Sequence, residues 1–319
     1  MTIHYFLNHW FQILIFPMIL KLKVYQNIFY RDEEFCSVIR MKDNVKIYRV
    51  EGKMVVEACL KFLKKSGVTN LYLHEGIGIQ YPRFFNYCII EDDEISGVLH
   101  TKDGYSIHLF LLPGISAEAL EKTCSFVRKN FPELKNVFCD NRSLSLFSGR
   151  YGEIPWRVRR FISMSVEKVH FNPVCIYSCC VPSPGDAMLF VPLQVDYEVE
   201  EVGSDPGEID RRVVLRVIEK RLKHGEITAI YDAGMPIAMA GLNARFGDSC
   251  QIGSVYVKPS YRGKGFGLSV VSGHVKRLFN RYTHVLLFVD EKNDVAKHIY
   301  DRLGFRARGV LVQASFLVR

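Results

Sequence analysis

The chain has 319 residues, of which 48% are hydrophobic and 24% charged, and its net charge is +8. That composition excludes a disordered chain, and the length allows two domains that each bury a core. The positive excess is spread over both halves. It therefore forms no basic tail that would point to nucleic acid, though it suits a polyanionic ligand.

Residues 5–20 (YFLNHWFQILIFPMIL) are strongly apolar. The run is shorter than the roughly 20 residues a membrane-spanning helix needs, and Asn8, His9, Gln12 and Pro17 interrupt it. It lacks the basic start and small-residue cleavage site of a secretory signal. Four readings stay open: a membrane-associated anchor, a buried strand or helix, an uncleaved signal anchor, or an upstream extension before a start at Met41. Residues 1–40 are accordingly set apart as an apolar extension.

From Met41 to about residue 180 helical and extended patterns alternate. Residues 53–65 carry Met54, Val55, Ala58, Leu60, Phe62 and Leu63 at helical spacing. Residues 105–112 alternate as a strand through Ile107, Leu109 and Leu111, and 116–130 return to a helical period. Residues 157–164 alternate apolar and basic side chains, as an edge strand with a wet face would. Trp156 and the residues up to 161 could help shape a cleft between the halves. This half is α/β and holds no chemical motif.

Nine cysteines at irregular spacing read as reduced thiols in an intracellular, cytoplasmic protein. Cys175, Cys179 and Cys180, with His170 nearby, lack the second ligand pair of a structural zinc site, so no metal is expected. The run Cys180-Val-Pro-Ser-Pro-Gly-Asp186 is the densest Pro/Gly/Ser cluster and the best linker candidate.

Beyond the linker, residues 195–202 read as extended and 209–223 as helical. Strands follow at 227–231, 237–242 and 251–257. A helix spans 265–280, a strand 284–289, a last helix 294–303 and a closing strand 310–318. This is a mixed, mostly antiparallel α/β domain covering 186–319.

The most informative stretch is Val255-Tyr-Val257-Lys-Pro259-Ser-Tyr-Arg262-Gly263-Lys264-Gly265-Phe266-Gly267-Leu268. A β-branched strand turns through a basic, glycine-rich segment into an amphipathic helix buried along Leu268, Val271, Val275 and Leu278. Gly263, Gly265 and Gly267 let the backbone approach a ligand closely. The amides of the Arg262–Leu268 turn, Phe266 included, then meet an anion at a helix N-terminus, and Arg262 and Lys264 add charge for phosphate oxygens. The order is neither the dinucleotide fingerprint nor the P-loop, because Gly267 is followed by Leu268 and Ser269.

This run, together with Asn293-Asp-Val-Ala296-Lys-His-Ile-Tyr300-Asp-Arg-Leu-Gly304-Phe305, resembles the GNAT superfamily of N-acetyltransferases. The resemblance covers about residues 197–308. A closer likeness is to tandem-domain acetyltransferases and the glycine N-acyltransferase-like group. Residues 41–180 look more weakly like a degenerate GNAT-like partner domain preceding the catalytic one.

The resemblance implies a GNAT fold and acetyl-CoA as co-substrate. It also implies an acyl-CoA arm lying in a gap beside the strand before the turn. In that frame the Val255 amide donates to the thioester oxygen and the Val257 backbone bonds the pantetheine. Tyr300 protonates the departing sulfur, and Asn293 contacts the CoA arm. Asn293 is equally natural as a helix cap, and Tyr300 as a packing residue.

The strand before the turn offers Gln251, Gly253 and Ser254 where many members place a glutamate. Glu226, Asp290, Glu291 or a water chain are the alternatives for a general base. His274 is expected to pack. Cys250 has no histidine partner, so direct attack by an amine-bearing small molecule or peptide is favoured over a covalent acyl-enzyme. The acceptor would be chosen by loops near 205–224 and 245–249, which carry no code. A CoA-binding sensor or scaffold with little turnover is the competing reading.

Overall fold

A computed structural model of the protein describes residues 44–65, 71–78, 84–152 and 154–316. The apolar run at 5–20 and the start at Met41 lie outside them. Among the described residues no helix is long and apolar enough to cross a membrane.

The chain repeats one order of elements twice. The first pass is β1 (Val45–Arg49), α1 (Lys53–Lys65), α2 (Leu71–Gly78), β2 (Phe85–Glu91), β3 (Glu94–Thr101) and β4 (Ser106–Leu111). It continues through α3 (Ala117–Asn130), β5 (Asn136–Asp140), α4 (Asn141–Tyr151) and β6 (Arg157–Glu167). The second pass opens on a single antiparallel bridge between Cys180 and Ala229, in the place of β1. It then runs α5 (Ala187–Tyr197), α6 (Arg211–Lys223), β7 (Ile227–Asp232), β8 (Met235–Phe246), β9 (Ser249–Val257) and α7 (Phe266–Leu278). β10 (His284–Asp290), α8 (Asp294–Arg302) and β11 (Arg306–Ser315) complete it.

All eleven strands join in one sheet, in the order β1-β2-β3-β4-β5-β11-β6-β10-β9-β8-β7. The last strand of each pass has crossed over. β6 lies against β10 of the second pass, and β11 lies against β5 of the first. β6 and β11 then pair with each other across the middle, so each half is completed by the other.

Each half of the sheet is covered on both faces. In the second half, one core lies under α7 and α8 (Val271, Val275, Leu287, Phe305), and another under α5 and α6 (Phe190, Leu193, Ile218, Met239). In the first, Leu120, Cys124 and Phe147 of α3 and α4 cover one face, and Val56, Leu63, Leu73 and Ile77 of α1 and α2 the other.

Two expectations are corrected. β6 is central, because its arginines are neutralised where they emerge: Arg159 pairs with Asp290 at 2.9 Å and Arg160 with Glu291 at 3.1 Å. Residues 195–202 are helical, α5 running into a π-helical turn at Glu198–Val202. Their alternating Val195, Tyr197 and Val199 imitate a strand. The helix wins because Phe190, Leu193 and Gln194 bury on one side and Gln194 reaches Glu198 one turn on, at 2.7 Å.

A fragment beginning at residue 182 lacks β6 and leaves β10 and β11 without their shared neighbour. It should fail to unfold cooperatively in denaturant, whereas one beginning at residue 154 should show a sigmoidal transition. Equal cooperativity of the two would contradict the crossed-over strands.

Candidate active site

β9 and β10 run parallel and pair at three positions only, Ser249 with His284, Cys250 with Val285 and Gln251 with Leu286. Beyond these β9 stays with β8 and β10 with β6, so the two part from Ile252 and Leu287 onward. The Lys258 amide donates to the Ile237 carbonyl. Antiparallel alternation then turns the amide and carbonyl of Val257 away from β8, to the side where β10 has left.

β9 is also bulged. Met239 faces Tyr256 and Gly241 faces Gly253, so Ser254 and Val255 oppose Ala240 alone. Ser254 takes a left-handed φ of 48° to do this. As a result Ile252 and Val255, an odd number of residues apart, both face the α7 core, while Tyr256 faces α5.

The glycine-rich turn closes the wide end of the gap. Gly263 and Gly265 have φ of 76° and 88°, which a Cβ disfavours. The first helical hydrogen bond of α7 runs from the Ser269 amide to the Gly265 carbonyl at 3.1 Å. No group among the described residues accepts from the amides of residues 263–268. The Arg262 amide differs, donating to the Pro259 carbonyl at 3.2 Å.

The side chains of the turn sort into two kinds. Phe266 stacks on Tyr177 at 4.0 Å, and the Tyr177 hydroxyl donates to the Lys264 carbonyl at 3.1 Å, fixing the turn from outside. Gly267 lies where α8 approaches, an added Cβ standing 3.3 Å from Ile299, and Leu268 is buried. Lys264 bends back to the Ser260 carbonyl at 3.0 Å. Arg262 is held in place: it pairs with Glu200 at 2.6 Å and donates to the Val257 carbonyl at 2.9 Å, while Tyr256 donates to the same carboxylate.

Tyr300 is 6% exposed and packs against Phe305, ring centroids 5.7 Å apart. Burial, then Tyr197 and Glu201, push its pKa well above the ordinary phenol value. Burial raises the pKa of Tyr197 as well, offset in part by the nearby Ser254 backbone at the bulge. Asn293 caps α8, its side-chain oxygen accepting from the Ala296 amide at 3.0 Å.

The carboxylates considered as bases are all engaged. Glu226 is paired with Arg245, Asp290 with Arg159 and Glu291 with Arg160. For Asp290, burial opposes the charge, but the Lys292 amide and Arg159 outweigh it and hold the pKa below its usual value. Glu201 differs. Burial raises its pKa, with Arg262 and Arg159 opposing, and its charge reaches Tyr300.

Spacing could not have found Glu201 or Tyr197, because both lie in the segment read as a strand. The alternation that misled the secondary structure also hid the side chains the π-helical turn presents. His274 packs as expected. Thr228 lies 2.9 Å from its Nδ1, and burial and Arg277 lower its pKa to about 3, leaving a neutral imidazole. Among the described residues no group of three or more His, Cys, Asp or Glu is placed to hold a metal.

Residues 230–314 match the family described as FR47-like protein. No match is found among curated proteins. A GCN5-related N-acetyltransferase from Sphaerobacter thermophilus superposes with a TM-score of 0.62 at 16% identity, covering 86% of this chain and 96% of that one. A GNAT-family acetyltransferase from Colwellia psychrerythraea gives 0.55 at 14% identity, covering 85% and 100%. A tandem GNAT protein from the clavulanic acid biosynthesis pathway gives 0.55 at 13%, covering 85% and 98%. The chain has the GNAT fold.

Gly265→Ala places a Cβ in a left-handed position and 3.0 Å from Ile176. It should cost about 1–2 kcal/mol in denaturant unfolding. A variant as stable as the parent would refute the turn geometry.

Proposed function

We propose that residues 186–319 form an acyl-CoA-dependent N-acyltransferase domain that uses acetyl-CoA and transfers the acyl group to an amine by direct attack in a ternary complex. One observation carries the reading: strands that part beside a bulge, ending at a run of amides with no acceptor of their own. An extended arm fits between the strands and a pyrophosphate fits the amides. Residues 41–180 act as a degenerate tandem partner. Their equivalent helix, α3, has its N-terminus occupied by the Ser116 side chain, while the Ser116 amide is taken by Glu91.

The phosphates sit on the amides of residues 263–268, with Lys264 adding charge after release from Ser260. Arg262 serves the turn by bracing it on Glu200 and Val257. The Val257 amide bonds the pantetheine, and Asn293 keeps its side-chain nitrogen for the arm while its oxygen caps α8. The amine attacks the thioester carbonyl, and the Val255 amide stabilises the oxyanion. Collapse releases a thiolate, which takes the Tyr300 proton. With its pKa raised, Tyr300 stays protonated at neutral pH until that moment.

Glu201 is the base that receives the ammonium proton, since a half-buried carboxylate of raised pKa is better matched to it than the ion-paired ones. Cys250 takes no covalent part, its pKa being pushed up to about 12 by burial. The free thiols fit a reducing compartment such as the cytoplasm. A CoA-binding sensor with little turnover is the second reading, favoured by Gln251, Gly253 and Ser254 standing on β9 without a carboxylate.

CoA release, followed with a thiol reagent across amino acids, polyamines and peptides, tests the proposal. Turnover with at least one amine is expected. Acetyl-CoA binding with no release across the panel would favour the sensor.

Tyr300→Phe should lower kcat by about 100-fold. An unchanged rate would remove its role as acid. Glu201 must be deprotonated to act, and its folded pKa is raised, so the rate should climb with pH through a limb above the usual carboxylate range. Glu201→Gln should abolish that limb, and a profile of unchanged shape would assign the base elsewhere.

A further inference from the structure

Arg221 has no part in the reaction described above, yet its placement is costly. It projects from α6, a helix whose buried residues are Ile218 and Leu222, into the sheet beside the bulge. Nη1 donates to Ser254 Oγ at 3.0 Å, and Nη2 to the Leu242 carbonyl at 3.3 Å and Asn243 Oδ1 at 3.2 Å. Among the described residues no carboxylate lies within ion-pair distance of it. Its hydrogen bonds all fall on neutral oxygens, with Glu226 and Glu198 acting only from beyond ion-pair distance, and such a placement is poor economy for stability.

The register of β8 and β9 explains what those oxygens have in common. Met239 faces Tyr256, the pairing slips by one residue at Gly241–Gly253 and Leu242–Ile252, and at Ala244–Gln251 the original register is restored. The slip is made by an extra residue on β9 at Ser254 and undone by an extra residue on β8 at Asn243. Arg221 bonds the side chains of both extra residues and the carbonyl between them. Two bulges in opposite strands, each free to migrate alone, are thereby tied to one rigid fork.

The backbone is cleared for this contact. A Cβ on Gly241 would stand 2.0 Å from Arg221 Nη2, and one on Gly253 would stand 2.0 Å from Asn243 Nδ2. Ser254 is held at a φ of 48°, which a serine does not keep without support. The next amide along the chain is that of Val255.

We infer that Arg221 is a positioning residue which, by clamping the paired bulges, holds the Val255 amide on the thioester oxygen. The inference rests on the acyltransferase reading and adds to it a residue on α6, outside both sequence motifs. Removing the clamp frees the slipped segment to return to regular pairing, which rotates the Val255 amide out of the gap. The amides of the glycine-rich turn are untouched, so the effect falls on the chemical step and not on CoA binding.

The test uses the full chain and acetyl-CoA carrying a 13C label at the thioester carbonyl. In the parent the bound carbonyl stretch should move to lower frequency than in solution. In Arg221→Ala that shift should largely vanish and kcat should fall about 10–100-fold, while KM for acetyl-CoA stays within about twofold. Arg221→Lys keeps the charge but cannot fork across both bulges, and should not restore the shift. Ser254→Ala severs one bond only and should give an intermediate loss, so the proposal stays testable if Arg221→Ala does not fold. A parent that binds acetyl-CoA with no carbonyl shift would overturn the acyltransferase reading itself. A parent shift retained in Arg221→Ala and Ser254→Ala at unchanged kcat would overturn the clamp alone.

Discussion

The structure around the site depends on one constraint: β9 and β10 must part without either strand losing its place in the sheet. A parallel pair that separates turns two rows of amides and carbonyls into the gap, and such groups call for partners. Each strand is anchored from its outer side, β9 by β8 and β10 by β6, and those pairings do not use the inward-facing groups. The gap can stay open because each strand is held from its outer side. What faces inward is then available to a ligand that brings its own amides.

The outer support of β10 is the crossed-over strand. β6 comes from the first pass of the chain and pairs with β10 over seven residues, from Phe161 opposite Asp290 to Glu167 opposite His284. Its arginines pair with Asp290 and Glu291 just where β10 stops. The first half thus supports the second half's sheet through hydrogen-bonded backbone and paired charge, without lending a motif of its own. That is a physical reason why the second half needs the first.

The sequence disclosed the parts whose local chemistry is unusual. Glycines alternating with basic residues after a β-branched strand have few explanations, and that run leads into α7 at Phe266. The helices at Lys53–Lys65 and Ala117–Asn130 were legible from apolar periodicity, and the serine before the second caps it. What stayed hidden depends on partners distant in the chain. Alternation in 157–164 read as an edge because nothing local shows that Asp290 and Glu291 neutralise Arg159 and Arg160. The segment 195–202 alternates as a strand does, and only packing of α5 reveals the π-helical turn carrying Glu201. Arg262 pairs with Glu200, a partner that no local pattern shows. In each case the local pattern was real, and a long-range charge or contact decided between its meanings.

The first half shows what the gap alone is worth. β4 and β5 are also parallel and also pair at three positions, Ser106 with Asn136, Ile107 with Val137 and His108 with Phe138, before they part. Here Arg142 donates to the Leu111 carbonyl at 2.7 Å, taking up backbone on the inner side. The helix that follows β4 begins at a serine cap whose oxygen accepts from Ala119, and Glu91 brings a carboxylate to the same end. An anion arriving there would meet a negative charge and a spent amide. The two halves therefore share the parted strands and differ in whether the helix N-terminus beyond them is satisfied from within. It is the unsatisfied turn, more than the opened sheet, that distinguishes the second half from the first.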